Sequence, residues 1–256
     1  MNKILNPSKI ERLLKLDPND EENIWLSKQK TLRAFIGVLG ILLPIMLYGF
    51  LLIDTGYDKP LESISHYYYT RVSSILVITV SLLAIFLIIY KGKGRLDIIL
   101  STLAGVFALC LILFPTDNIT TECCDPNKIM EYGKSSYEEC VYSVSLLRES
   151  DSRVHFHYFS AGIFLSSLAF MSLFQFTKSD HKKKDRSKNK RIRNFFYSLF
   201  GILIVLSLIV IACGELFKWI PAEYFSSHHI KYWMEVVALE SFGISWLIKA
   251  EVILKG

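Results

Sequence analysis

Glu62-Ser-Ile-Ser-His-Tyr-Tyr-Tyr-Thr-Arg71 is a stretch crowded with side chains that titrate or form hydrogen bonds, and a long apolar run over residues 72–90 follows it directly. An apolar run of about 20 residues is what a helix needs to cross the hydrocarbon core of a bilayer, which is ~30 Å thick. The stretch 62–71 is therefore predicted to lie where a membrane-spanning helix meets water.

Apolar runs of similar length recur along the chain and indicate an all-α, polytopic membrane protein. The chain has 256 residues, of which 52% are hydrophobic, and this is more than an ordinary soluble domain carries. We predict a bundle of six transmembrane helices, at about 32–53, 72–90, 96–114, 155–176, 194–214 and 230–248. These spans form a transmembrane domain over residues 32–250, which follows an amphipathic N-terminal segment over residues 1–31.

The charges between the apolar runs predict the orientation of the helices. The connections 91–95 and 177–193 are basic, whereas the connection 115–154 is acidic. Cytoplasmic loops of membrane proteins carry an excess of Lys and Arg, so the basic connections are predicted to be cytoplasmic and the acidic one external. Six spans then place the N-terminus and the C-terminus in the cytoplasm. We expect a plasma-membrane location, specifically the cytoplasmic membrane of a bacterium.

The expected partner is membrane lipid. The net charge of +5 follows from the cations at the cytoplasmic ends of the runs, so nucleic acid is not an expected partner. The sequence identifies no protein partner.

Four cysteines are predicted on the external side, namely Cys123, Cys124, Cys140 and Cys213. An oxidising compartment favours disulfides. Adjacent Cys123 and Cys124 are poor partners for each other, which leaves two connectivities open: 123–140 with 124–213, or 124–140 with 123–213. Either connectivity would tie the external loop 115–154 to the fifth span.

Polar side chains at the external ends of the spans form the candidate ligand-binding site. His66, His157 and Glu235 begin three different spans at similar depth, so a bundle could gather them in one pocket open to the outer leaflet. His and Tyr also occur at span ends because they suit a half-wet interface, and that alternative stays open. The residues predicted to bind a ligand are Ser63, Ser65, His66, Tyr67, Tyr68, Arg71, Asp117, His157 and Glu235.

Two other kinds of site are considered. Glu240 falls near mid-bilayer, where a carboxylate is costly unless it is paired, protonated or hydrated, so it is either functional or hydrogen-bonded between helices. A zinc site built from His66, His157 and His228 with a carboxylate would have suitable ligand chemistry. Its spacing signature is weak because the ligands come from different parts of the chain, and no cofactor is predicted.

A set of segments spread over residues 62–251 carries a resemblance to other proteins. The segments are 63–71, 104–109, 114–116, His157, Arg193-Asn194 with Tyr197, 233–235 and 242–249. They resemble a group of uncharacterised bacterial six-span membrane proteins and, more distantly, the FRAG/DRAM type, some of which act in lipid remodelling or organisation. The resemblance implies a six-span fold with an outer-face site and no established activity. The bacterial group often carries His where this chain has Tyr69, so a shared His-based metal site is not implied.

Three functions follow as hypotheses. The first is an accessory membrane protein whose outer-face pocket binds a lipid headgroup or a small polar ligand. The second is a metal-dependent hydrolase acting on lipid at the outer leaflet, distantly like the alkaline ceramidase type, although the paired HxxxH of that type is absent. The third is a proton-coupled transporter using Glu240, for which six spans without a visible repeat are a poor signature.

Overall fold

A computed structural model describes residues 18–92, 94–117, 150–178 and 188–254, with side chains from residue 28 onward. Its α-helices are α1 (Pro18–Thr55), α2 (Ser73–Ile89), α3 (Arg95–Leu113), α4 (Asp151–Phe170), α5 (Lys188–Glu215), α6 (Ala222–Ser227) and α7 (Ile230–Lys249). A 3₁₀ helix, Ile64–Tyr69, precedes α2 and is called the 3₁₀ segment below; a π-helical turn, Met171–Gln175, extends α4. The described residues form no strand element, and the prediction of an all-α protein is confirmed.

Among the described residues, four helices are long and apolar enough to cross a membrane. They are Lys28–Thr55 within α1, Arg95–Leu113, Asp151–Gln175 and Lys188–Glu215. Helix α2 is apolar but shorter, at 17 residues. Large apolar side chains such as Ile78 on α2 and Phe195 on α5 expose 59% and 64% of their surface, as expected of side chains that face lipid. The protein is therefore a multi-pass membrane protein.

Helix α1 begins earlier than the predicted first span. It starts at Pro18, where proline suits the first turn because its missing N–H has no partner there, and it continues through Pro44. Residues 18–31, predicted to belong to a separate N-terminal segment, are thus continuous with the first apolar run. The remainder of that segment, residues 1–17, lies outside the described residues.

Helix α7 packs between α1 and α5. The α1–α7 crossing depends on Gly37 and Gly243, because a Cβ atom on either residue would lie 2.7 Å from the carbonyl oxygen of the other. Helices that lack side chains at the crossing can approach this closely. Trp246 lies one helical turn after Gly243 on α7. It is fully buried, and its ring packs against the ring of Tyr90.

The bundle has two chemically distinct ends. The site end is defined by the 3₁₀ segment, the end of α3 and the starts of α4 and α7. At the opposite, basic end, Glu251 pairs with Lys30 at 2.5 Å and with Arg193 at 3.2 Å. Lys30, and then Arg193, hold the pKa of the Glu251 carboxyl below its usual value against the effect of partial burial.

The described residues contain no disulfide, and among them Cys213 is a free, half-buried thiol in α5. Both predicted connectivities pair Cys213 with a cysteine outside the described residues, so they stay predictions. The end of α5 is covered by α6, whose Phe225 ring packs against Gly214. The other three cysteines of the prediction, Cys123, Cys124 and Cys140, lie outside the described residues, and pairing among them stays a prediction.

Candidate functional site

The 3₁₀ segment presents three different faces to its surroundings. Ser63 caps its start by accepting a hydrogen bond from the Ser65 N–H at 3.1 Å, and the Thr70 N–H closes its end on the Tyr67 carbonyl at 3.2 Å. Side chains three residues apart lie on the same side of a 3₁₀ helix. The three faces therefore consist of Ile64 with Tyr67, Ser65 with Tyr68, and His66 with Tyr69.

Glu235 of α7 anchors the start of the 3₁₀ segment. The Ser63 hydroxyl donates to the two carboxylate oxygens at 2.9 Å each, and the Ile64 N–H donates to Oε2 at 2.6 Å. Two donors of the 3₁₀ segment, one side-chain and one backbone, therefore converge on the same carboxyl group. The carboxylate thus fixes both the position and the direction of the 3₁₀ segment against α7.

Ser65 forms a hydrogen-bonded chain with α4 and the end of α3. His157 is 3% exposed, and its Nδ1 lies 2.8 Å from the Phe114 carbonyl oxygen, while its Nε2 lies 3.0 Å from the Ser65 hydroxyl oxygen. A carbonyl only accepts, so Nδ1 carries the proton and donates it to Phe114. In the neutral ring Nε2 then carries a lone pair, and the Ser65 hydroxyl donates to it.

His66 and Asp117 form a second polar group beside this chain. His66 is 2% exposed, its Nε2 lies 3.9 Å from Asp117 Oδ1, and neither ring nitrogen has a hydrogen-bond partner among the described residues. Asp117 accepts hydrogen bonds from the Thr116 hydroxyl at 2.7 Å and from the Tyr158 hydroxyl at 3.2 Å. The His66 ring, and then Thr116, hold the pKa of Asp117 well below its usual value, although burial acts in the opposite direction.

Lys231 completes the site and was missed by the sequence analysis. It is 7% exposed, and its Nζ lies 3.0 Å from Glu215 Oε1 and 3.3 Å from the Tyr158 hydroxyl. Lys231 precedes Glu235 by four residues, one helical turn, so both side chains lie on the same face of α7. The sequence did carry a signal for Lys231, because this cation lies at the edge of an apolar run and one helical turn before Glu235.

An amphipathic cavity opens beside these groups. It has a volume of about 80 Å³ and lies between the 3₁₀ segment and helices α1, α2, α3, α4 and α7. Ser65, Tyr68 and Glu235 provide its polar atoms at the site end, and the rest of the wall is apolar. The lining residues are Leu43, Ile64, Ser65, Tyr68, Leu76, Val80, Leu83, Leu111, Ile112, Ala161, Phe164, Leu165, Glu235 and Leu239.

The structure brings most of the predicted site residues to one end of the bundle. Ser63, Ser65, His66, Asp117, His157 and Glu235 take part in the contacts given above. Tyr68 lines the cavity, and Tyr67 is buried with its ring centroid 6.2 Å from that of Tyr232. Arg71 is not part of the cluster, because its side chain is 75% exposed and lies 3.5 Å from Asp54.

The predicted zinc site is not assembled in the described ranges, and a functional role of Glu240 stays a prediction. No group of three or more His, Cys, Asp or Glu side chains there could hold a metal ion. The proposed ligand His157 uses both ring nitrogens in hydrogen bonds, and His228 lies on the surface at the end of α6, with its Nδ1 on the Tyr224 carbonyl. Glu240 is half-buried on α7, more than a helical turn beyond Glu235.

In comparisons with known proteins, the chain matches no family model, no curated protein and no solved structure. The resemblance to uncharacterised bacterial six-span proteins therefore stays a prediction.

Asp117 should make the stability of the protein depend on pH. Its pKa is lowered in the folded state, so it contributes stability above the unfolded-state value of about 3.9, and this contribution is lost as the pH falls. Asp117→Asn should therefore melt below the wild type at pH 7, and the difference should shrink toward pH 3. Thermal melting in detergent across this range measures it.

Asp54→Asn is the matched control, because Asp54 is 46% exposed and, within the described part of the chain, its ion pair is with the exposed Arg71. We expect its melting temperature to follow that of the wild type at every pH. A constant difference between Asp117→Asn and the wild type would contradict the assignment of the pH dependence to Asp117.

Proposed function

We propose that this protein is an accessory membrane protein whose site-end cavity binds an amphiphile, with the polar headgroup at Ser65, Tyr68 and Glu235 and the apolar tail along the cavity wall. The observation that carries the proposal is the composition of the cavity. Its three polar residues lie at one end, and its other lining residues are apolar. A ligand that matches such a wall has a polar and an apolar part.

The energetics of the cavity favour an apolar occupant. Residues such as Leu83 and Phe164 line it, and only 1% and 5% of their respective surfaces are exposed to solvent. Unfilled apolar space costs packing energy in proportion to its volume. A volume of about 80 Å³ accommodates several methylene groups, whereas water gains few hydrogen bonds from aliphatic walls. An acyl or alkyl chain removes this cost.

The polar end of the cavity selects the headgroup. Glu235 carries a carboxylate whose oxygens act only as acceptors when it is ionised. Lys231, on the same face of α7, is already engaged by Glu215 and Tyr158 and does not line the cavity. A headgroup that donates hydrogen bonds, such as a hydroxyl or an amine, is therefore the best match.

The proposal includes a topology of six spans with both termini in the cytoplasm of a bacterial cell. The two additional spans are α2 and α7, which has 20 residues. Support comes from Lys91, Arg95 and Lys178, since all three lie at the end of the bundle opposite the site. The positive-inside rule assigns that end to the cytoplasm, and the cavity then faces the outer leaflet.

Labelling of single cysteines tests this topology. On a cysteine-free background, Ser135→Cys should react with an impermeant maleimide in intact cells, because residue 135 lies in the acidic connection. Ser187→Cys should react only after permeabilisation, because residue 187 lies in the basic connection. The opposite pattern would place the site end in the cytoplasm.

Filling the cavity tests ligand binding. Ala161 lines the cavity, so Ala161→Phe should place a ring in the space of the apolar tail and reduce the amount of co-purified lipid by about tenfold, which corresponds to ~1.4 kcal/mol. The matched control is Gly162→Phe on the same helix, because a Cβ there meets no atom within 4 Å. Native mass spectrometry measures lipid per protein. Equal lipid content in both variants and the wild type would refute the proposal.

A further inference from the structure

We propose that Ser65 is a nucleophile activated by His157, and that the site end cleaves the ester bond of an acylated amphiphile. This inference rests on the proposed function, because the same cavity would hold the acyl chain. It goes beyond that function in assigning a covalent reaction, and the reaction requires no metal ion.

The Ser65–His157–Phe114 chain has the geometry of an activated nucleophile. The Ser65 Oγ lies 3.0 Å from His157 Nε2, within the range for a nucleophile and its general base. The Phe114 carbonyl, 2.8 Å from Nδ1, holds the ring in the tautomer that leaves Nε2 free to accept a proton. Activated nucleophiles of this kind also need a third group that orients the base, and the Phe114 carbonyl takes that position here.

The position of Ser65 separates this interpretation from a purely structural one. A buried serine that only satisfies a histidine would be enclosed with it. Ser65 is instead half-buried and lines the cavity, while His157 is 3% exposed behind it. The hydroxyl is thus the member of the pair that a bound molecule can reach, and the base is shielded from water.

Tyr68 is the candidate donor for the charge that develops during the reaction. It lies three residues after Ser65, on the same face of the 3₁₀ segment, and it lines the same cavity. A phenol hydroxyl can donate a hydrogen bond to the oxyanion of a tetrahedral intermediate. Glu235 cannot serve this role, since its carboxylate is an acceptor, and it is suited to holding a hydroxyl or amine of the headgroup.

The reaction proceeds in two balanced steps. The Ser65 Oγ forms a bond to the ester carbonyl carbon as its proton moves to His157 Nε2. His157 then gives this proton to the departing alkoxide as the ester C–O bond breaks, which releases an alcohol and leaves an acyl-Ser65. Water attacks the acyl group, His157 takes a proton from the water, and the proton returns to Ser65 Oγ as the carboxylic acid leaves.

A long-chain alkyl fluorophosphonate tests the inference without knowledge of the substrate. Ser65 should form a bond to phosphorus, with loss of fluoride and of the hydroxyl proton, and the adduct should appear by mass spectrometry on the peptide that contains Ser65. Ser65→Ala should abolish the adduct. His157→Gln should slow its formation by about 100-fold or more, the usual contribution of a general base.

Two comparisons make the test decisive. Ser160→Ala removes a buried serine hydroxyl of α4 that donates to the Phe156 carbonyl. This variant should leave the labelling rate unchanged. Each variant is compared only if it elutes as the wild type does in gel filtration; where His157→Gln fails this, His157→Asn replaces it. An unlabelled Ser65 in folded wild-type protein, or a rate that does not depend on His157, would overturn the inference.

The outcome separates this inference from the proposed function. If Ala161→Phe reduces the co-purified lipid but Ser65 does not react with the fluorophosphonate, the protein binds an amphiphile and does not cleave it. Loss of both signals would reject both proposals.

Discussion

Glu235→Leu should lower the stability of the protein by about 3–5 kcal/mol, because it removes one carboxyl acceptor from two separate donors. The Ile64 N–H at 2.6 Å and the Ser63 hydroxyl at 2.9 Å would both lose their partner, and Ser63 is 1% exposed. A buried donor without a partner costs the full desolvation energy of the group. Glu235→Gln keeps one carbonyl acceptor and should lose less.

The measurement is the melting temperature in detergent, which should fall by about 10 °C for Glu235→Leu. Glu240→Leu is the matched control, since it removes a carboxylate from the same helix without removing an anchor of the 3₁₀ segment. We expect Glu240→Leu to melt at or above the wild-type temperature, because a carboxylate in an apolar environment costs desolvation energy. Equal losses in the two variants would show that Glu235 does not anchor the 3₁₀ segment.

Lys231→Met should destabilise the protein by about 2–4 kcal/mol, because it leaves the Glu215 carboxylate beside a newly apolar side chain. Lys231 joins three helices through Glu215 of α5, Tyr158 of α4 and its own position on α7. Its Nζ also lies 4.6 Å from the centroid of the Tyr158 ring, which adds a cation–π contact.

The double variant Lys231→Met with Glu215→Leu identifies the cause. The Lys231 side chain is buried and that of Glu215 is 34% exposed. Replacing both members of such an ion pair by apolar residues leaves no unpaired charge beside the apolar side chain, so the double variant should recover most of the loss. Chemical denaturation in mixed micelles measures the coupling energy between the two positions. Lys30→Met is the control, because the Lys30 side chain is 51% exposed, whereas that of Lys231 is 9% exposed, and the Lys30–Glu251 pair should contribute at most about 1 kcal/mol. Additive losses would contradict a direct pairing.

The residues at the site end differ in how far the sequence could identify them. His157 and Glu235 were predicted because an ionisable side chain at the start of an apolar run is costly and therefore informative. Lys231 was missed because a lysine near a span end commonly extends its ammonium to water. Whether such a lysine extends outward or pairs inward depends on Glu215 and Tyr158, which lie 16 and 73 residues away.

The zinc and disulfide hypotheses show the limit of composition as a guide. The ring nitrogens of histidine can either bind a metal ion or form hydrogen bonds, and the sequence does not show which of the two they do. In the folded protein both ring nitrogens of His157 are engaged in hydrogen bonds. Cys213 lies near the end of α5, two residues before Glu215, and its external location stays a prediction. The Phe225 ring of α6 packs against Gly214 at that helix end, and this contact has no periodic signal in the sequence.

The sequence by itself determined the all-α fold and the apolar helices, because a lipid-facing helix must be apolar over its length and this demand is local. It also determined that polar groups gather near residues 62–71. Only the tertiary structure decided that Ser65 meets His157, that Glu235 holds Ser63, and that both lie beside an apolar cavity. Each contact joins residues more than 90 positions apart, and its geometry depends on how the helices are rotated about their axes. Helix periodicity shows which residues share a face, and packing against the other helices decides where that face points.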